Sequence, residues 1–301
     1  MIEIKKGKVL MKIWPECIPC IIKMSLDVIR TSVKDENQIK RFLEDVLTWK
    51  PFRGEDFSIT SPEIIRNVWL KFRVHFGLVD PLKTKKDGDN WKALKIYPDL
   101  KEVVKKSKDP VLEALKLSIL GNSIDSMGDI REFSIEGIVK SLEESWIDLK
   151  AVEELRRKVS EVRKILFLGD NCGEIVFDKL FIETLRNHYD TEVVYVTRTI
   201  PVLNDALLND AFLVGMNEVA TVMENGIDEP LPGTFLSMAS EEVRELVNDS
   251  NLVISKGGGN FDTLSEDETL RGKVSFLLRG KCYPSCTAHR VPFGGLIVHH
   301  F

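Results

Sequence analysis

Residues 164–174 read KILFLGDNCGE. An apolar run of strand length ends on a glycine. An acid, an amide, a thiol and a second acid then fall within five positions. A loop needs polarity, but it does not need Asp170, Asn171 and Glu174 so close together. Similar runs recur downstream: EVVYVT (192–197), NLVIS (251–255), VSFLL (274–278) and GLIVHH (295–300). Segments of helical period, such as GEIVFDKLFIETLRNHY (173–189) and SEEVRELVND (240–249), separate several of them. Strand–helix–strand alternation at this spacing predicts a mostly parallel, Rossmann-like sheet covered by helices on both faces, an α/β fold of three layers.

The first half has a different rhythm. CIPCIIKMSLDVIRTSV (17–33) repeats apolar residues at three and four, with Pro19 in its first turn. NQIKRFLEDVLTW, SPEIIRNVWLKFRVHFG, DPVLEALKLSIL and FSIEGIVKSLEESW read as four more helices. DPLKTKKDGDNWKA (80–93), rich in charge, reads as a loop. The expectation is therefore an all-helical N-terminal region over 1–150 and an α/β core over 151–301.

With 301 residues, 43% of them hydrophobic and 30% charged, the chain can close a core. A net charge of −5 argues against nucleic acid as partner. No run approaches the ~18 apolar residues of a membrane span, and the N-terminus lacks a signal-type apolar stretch. A cytoplasmic protein is expected. The five cysteines, an odd number, do not form a secreted disulfide framework.

In a doubly wound sheet, ligands bind beyond the carboxyl ends of the strands. Each strand end here is polar. EVVYVT runs into Arg198, Asn204 and Asp205; NLVIS into Lys256, Gly257, Gly258, Gly259 and Asn260; VSFLL into Arg279 and Lys281. The oxygens of Asp170, Asn171 and Asp205 suit a hard cation such as Mg²⁺ or Mn²⁺. Lys256, Arg279 and Lys281 supply positive charge, and the glycines let backbone N–H groups approach an anion. A divalent ion, cations and a glycine cradle together describe a phosphate site for metal-assisted hydrolysis. Singly, each element has a plainer reading: a turn, a helix cap, a solvated strand edge. KGGGN is neither a Walker A loop nor G-x-G-x-x-G. Upstream, LGNSIDSMGD places Asn122 and Asp125 where they can reach the same crevice. Cys17-Ile-Pro-Cys20 opens a helix and reads as a packed or bonded thiol pair, a redox motif, or, with Cys282 and Cys286, half of a zinc site.

GDNCGEIVFDKL, RTIPVLNDAL, ISKGGGNFDTL, LLRGKC, LGNSIDSMGD and the N-terminal C-x-x-C together resemble the DUF89 or ARMT1-like damage-control phosphatase family. The C-x-x-C resembles its subfamily I, of archaeal type. The resemblance spans nearly the whole chain, with the motifs in the family's order. It implies a helical region on an α/β core and phosphatase activity dependent on Mn²⁺, Co²⁺, Ni²⁺ or Mg²⁺. The implied substrates are small phosphorylated metabolites: sugar phosphates, phosphopantetheine or nucleotide-related compounds. It also implies that Asp170, Asn171 and Asp205 hold the metal, with catalysis at Asp170 and Asp205. Arg279 or Lys281 then contacts phosphate, with Lys256 and the glycines beside it. Asn122, Asp125, Glu174 and Asn204 support them. Some members are described as carboxyl methyltransferases. A Rossmann-type binding module or an S-adenosylmethionine-dependent carboxyl methyltransferase is the alternative, although no clear cofactor loop is present.

Overall fold

A computed structural model of the chain describes residues 12–122 and 134–301. Three helices come first: α1 (Cys17–Ser32), α2 (Glu36–Leu47) and α3 (Ser61–Phe76). Thr60 and Glu63 form a reciprocal cap at the start of α3, and Gly77 ends it at φ 66°, a left-handed conformation that glycine adopts without strain. These helices close a cluster of their own around Phe42, Trp69 and Phe72.

Next come α4 (Lys83–Lys106), α5 (Pro110–Gly121), α6 (Ile135–Glu144) and α7 (Leu149–Ser160). α4 corrects the loop expected over 80–93. Its buried face is polar, with Lys86, Asp89 and Asn90 turned inward, so no apolar period announces it. Lys86 pairs with Asp80 at 2.7 Å. Helices α4 to α7 share one hydrophobic cluster with the sheet, so by packing they belong to the core rather than to the first three helices.

The core runs β1 (Lys164–Leu168), α8 (Glu174–His188), β2 (Glu192–Thr197), α9 (Leu208–Leu213), β3 (Thr221–Glu224), α10 (Glu241–Asp249), β4 (Val253–Lys256), α11 (Gly257–Leu264), β5 (Val274–Arg279), α12 (Tyr283–His289) and β6 (Leu296–His300). The strand order is β3-β2-β1-β4-β5-β6. The first five are parallel and β6 pairs antiparallel with β5. The fold is thus the α/β class expected from the sequence. β3 was not anticipated: TVME is four residues long and partly exposed throughout, with no alternation to read. Ile165, Phe167 and Tyr195 face the layer of α5 and α8. Leu166, Leu168 and Val196 face that of α10 and α11.

The order reverses between β1 and β4. Chain leaving β1 turns toward β2, and chain leaving β4 turns toward β5. Their carboxyl ends splay apart and leave a crevice at this switch point. GDN follows β1, and β4 ends on Lys256 and runs into GGGN, which answers why so much polarity is placed where the first strand runs out. Among the described residues no helix is long and apolar enough to cross a membrane.

Candidate active site

The crevice is assembled from backbone first. Asn171 and Asp205 pair as an isolated antiparallel bridge, fastening the loop after β1 to the loop after β2. The amide of Cys172 donates to the Asn204 carbonyl at 2.8 Å, and the amide of Ala206 donates to the Asp170 carbonyl at 2.8 Å. Gly173 donates to Asn90 Oδ1 at 2.6 Å, tying the same loop to α4. The third strand end arrives through Gly257, at φ +79°. A Cβ added there would overlap the carboxylate of Asp170, so only glycine admits this approach.

Asp170 Oδ2 accepts from the side-chain amides of Asn122 at 3.1 Å and Asn171 at 2.8 Å. The same amides reach Glu174 Oε2 at 2.6 and 3.0 Å. Arg198, 2% exposed, donates from Nε to Asp205 Oδ2 at 2.7 Å and from Nη2 to Asp170 Oδ1 at 3.4 Å. Thr234 Oγ1 accepts from Arg198 Nη1 at 3.3 Å and donates to Asn260 Oδ1 at 3.0 Å. Asn260 Nδ2 in turn donates to the Gly169 carbonyl at 3.0 Å. Asn260 thus braces the β1 loop from behind.

Lys256 departs from its expected phosphate contact. It is fully buried, and its ammonium lies 2.6 Å from the Ser118 carbonyl, 2.9 Å from Asp178 and 3.0 Å from Glu174. An ammonium has three donors, and all are engaged here. The three glycines expected to cradle an anion lie in a helix. Gly257, Gly258 and Gly259 form the first turn of α11, with Gly258 exposed at the mouth. Their N–H groups are those a helix N-terminus leaves without intrahelical partners.

Of the two basic residues at the end of β5, Arg279, its last residue, donates from Nε to the Gly294 carbonyl at 3.2 Å. Lys281 donates to the Asn122 carbonyl and lies within electrostatic reach of Asp170 and Glu174. The structure therefore brings Asp170, Asn171, Asp205, Glu174, Asn122 and Lys281 together. Asn204 lies beside them on the β2 loop. Asp125 lies outside the described residues.

Four buried carboxylates, Asp170, Glu174, Asp178 and Asp205, crowd this crevice. Burial, then the charges of Asp205 and Glu174, push the Asp170 carboxyl well above its ordinary range. Burial also raises Asp205, against the pull of Arg198. Asp178 is pushed up to about 6, by burial against the pull of Lys256. Burial works to lower Lys256, but Asp178 and Glu174 outweigh it and hold it up. Arg198 and Lys256 pair directly with these carboxylates, and Lys86 and Lys281 act on them at longer range; a divalent cation between Asp170 and Asp205 would relieve the repulsion that remains there. Among the described residues no three His, Cys, Asp or Glu side chains form a ready metal nest. The donor set that fits is two carboxylates with an amide oxygen. The Asn171 nitrogen is turned to Asp170 and Glu174, leaving its carbonyl end to serve. Few protein ligands, with water completing the shell, suits Mg²⁺ or Mn²⁺.

Asn90, Ser118, Arg198 and Thr234 act here through contacts made across the fold. Of these, only Arg198 carried a sequence signal, as a strand-end residue. Cys172 is buried within the β1 loop, whereas the other four cysteines lie outside it. Cys17 is half-buried, Cys20 and Cys282 are exposed, and all described cysteines are free thiols. Burial pushes the Cys17 thiol up, the reverse of an activated redox cysteine.

A family model described as the damage-control phosphatase ARMT1-like domain matches residues 13–295. An uncharacterized protein of Methanocaldococcus jannaschii is 30% identical over 288 residues, spanning 91% of this chain and 90% of that protein. A damage-control phosphatase of Pyrococcus horikoshii is 29% identical over 292 residues, spanning 95% of this chain and 97% of its own. One of Archaeoglobus fulgidus is 28% identical over 303 residues, spanning 95% and 98%. The crystal structure of a DUF89 family protein from Pyrococcus horikoshii superposes with a TM-score of 0.84 at 28% identity, covering 96% of this chain and 99% of that one. On this breadth of match, the chain belongs to the damage-control phosphatase ARMT1-like family, DUF89.

Proposed function

We propose that this protein is a divalent-metal-dependent phosphatase that hydrolyses phosphomonoesters of small metabolites. The observation that carries the reading is the meeting of Asp170, Asn171 and Asp205 at the switch point, with the first turn of α11 in contact with Asp170. Two relatives named damage-control phosphatases support the reaction class. The Rossmann-type binding module and the methyltransferase are not favoured by these relatives.

Asp170, Asp205 and the Asn171 amide oxygen would hold Mn²⁺, Ni²⁺, Co²⁺ or Mg²⁺. When bound, such an ion polarises a phosphoryl oxygen and activates water. The chain's own groups do the rest. Arg198 fixes Asp205 through a charge-assisted bond, and the amides of Asn122 and Asn171 fix Asp170. Lys281 and the first-turn N–H groups of Gly257 and Gly258 bind the phosphate oxygens. Glu174, held between those two amides and Lys256, orients the amides rather than reaching substrate. Arg198 and the two carboxylates it holds are buried, so these interactions are worth more than they would be in bulk solvent.

The test is phosphate release from a panel of phosphomonoesters by chelator-stripped protein, with each metal added back in turn. Asp170→Ala and Asp205→Ala run alongside, with their folds checked by circular dichroism. Metal-restored turnover absent from both variants is expected. Turnover indifferent to metal, or retained by Asp205→Ala, would overturn the assignment.

A further inference from the structure

Hydrolysis of a phosphomonoester needs a proton for the departing alcohol, because an alkoxide is a poor leaving group. With Asp170 and Asp205 committed to the metal and Lys281 to phosphate oxygens, that proton must come from another group. Asp262 on α11 is half-buried, and among the described residues its carboxyl has neither a hydrogen-bond partner nor an ion pair. α11 buries Asn260, Phe261, Thr263 and Leu264. Gly258 and Asp262 stand at i and i+4, hence on one face of the helix, about 5–6 Å apart. Side chains on a helix lean toward its N-terminus, so the Asp262 carboxyl reaches back over the turn that holds Gly258. Gly258 is exposed, and nothing lies within 4 Å of where its Cβ would stand, so the space in front of that carboxyl is open. Cys282, the residue after Lys281, lies within electrostatic reach of Asp262, as does Cys17 at the start of α1. Asp262 therefore stands beside both groups assigned to the phosphate oxygens, the first turn of α11 and Lys281.

We propose that Asp262 is the general acid of the reaction, giving its proton to the ester oxygen as the alcohol departs. The inference rests on the phosphatase reading and adds a catalytic residue to it. Burial, opposed by no cation, pushes the Asp262 carboxyl well above its ordinary range and so keeps a proton on it. Burial raises the two neighbouring thiols as well, which leaves both uncharged near neutral pH. A protonated carboxyl can donate to a phosphate ester that a carboxylate would repel. In the step itself, the oxygen of the attacking water bonds to phosphorus and the ester P–O bond breaks. The electron pair of that bond goes to the alcohol oxygen, which takes the Asp262 proton. The attacking water gives up its proton to solvent, and Asp262 regains one from solvent before the next turnover.

The test compares two leaving groups in the presence of Mn²⁺: an alkyl phosphate, whose alkoxide needs a proton, and p-nitrophenyl phosphate, whose phenolate departs without one. Asp262→Asn keeps the size of the side chain and removes the acid. Its kcat/KM should fall about 100-fold or more for the alkyl ester and less than about threefold for p-nitrophenyl phosphate. A merely structural role would lower both alike, and that result overturns the assignment while leaving the phosphatase reading in place. The wild type supplies a second measure that does not depend on the folding of a variant. Across a series of alkyl and aryl phosphates, its kcat/KM should change little with the acidity of the alcohol, and a steep rise with acidity would overturn the assignment. No phosphate release by the wild type from any ester sinks the phosphatase reading, and the general acid with it.

Discussion

Gly257→Ala is the sharpest single perturbation the site offers. The residue sits at φ +79°, where an alanine costs about 1–2 kcal/mol. The new Cβ would overlap Oδ2 and Cγ of Asp170 and stand 3.0 Å from Oδ1. Carbon and oxygen settle no closer than about 3.3 Å, so either the carboxylate or the first turn of α11 must retreat by about 1 Å or more. Asp170 has little room, because Asn122, Asn171 and Arg198 hold it from three sides. A displacement of that size at a reacting centre can cost about 100-fold. The expected result is a loss of about 100-fold in kcat/KM for metal-dependent phosphate release, with about 1–3 kcal/mol lost in urea unfolding. Gly258→Ala is the control: nothing lies within 4 Å of a Cβ there, and its φ is not in the left-handed region. Stability should then hold or rise by up to about 1 kcal/mol, as alanine favours helix. Gly257→Ala protein with kcat/KM within about threefold of wild type would refute the reasoning, since the close approach would then not be a constraint.

Lys256→Met should act on stability rather than on substrate binding: it strips Glu174 and Asp178 of their cation, and losing one partner of a buried pair costs about 3–5 kcal/mol by denaturant unfolding. Lys281→Ala should instead raise KM by about tenfold, with a smaller loss of stability than Lys256→Met, as loss of one charge–phosphate contact predicts. Manganese at about 100 times its Kd should stabilise the wild type by about 2.7 kcal/mol in thermal melts, and Asp205→Asn should lose most of that gain. His289 carries a separate pH dependence. Burial, with the His299 charge, lowers it from 6.5 to about 3, and its ring lies 4.7 Å from that of Phe261. The unfolded chain therefore binds this proton more tightly, and stability is lost as pH falls from 6.5 toward 3. Between pH 6.5 and 5 that amounts to about 2 kcal/mol. In His289→Phe the acid-side slope should flatten; an unchanged slope would assign it elsewhere.

Much of the layout was legible in the chain. The runs around Phe167, Tyr195, Ile254 and Phe276 declare themselves as strands because both sheet faces are buried, so β-rich apolar residues run together between helical periods. Asp170, Asn171 and Asp205 could be picked out because a parallel sheet delivers its strand ends to one side. Other features carried no local signal. TVME is too short and too exposed to alternate, and the buried face of α4 is built from Lys86, Asp89 and Asn90, which mimic a solvated loop. The role of Lys256 inverted for the same reason. As sequence, a lysine before glycines reads as a phosphate ligand, but folding places Ser118, Glu174 and Asp178 around its ammonium. Likewise, Thr234 meets Arg198 and Asn90 meets Gly173 only across the crevice. Local pattern determined which elements form and where their polar ends lie, because periodicity and chain direction are properties of neighbouring residues. Which polar groups face the crevice, and which neutralise one another behind it, was decided by tertiary structure, because burial and pairing depend on partners distant in the chain.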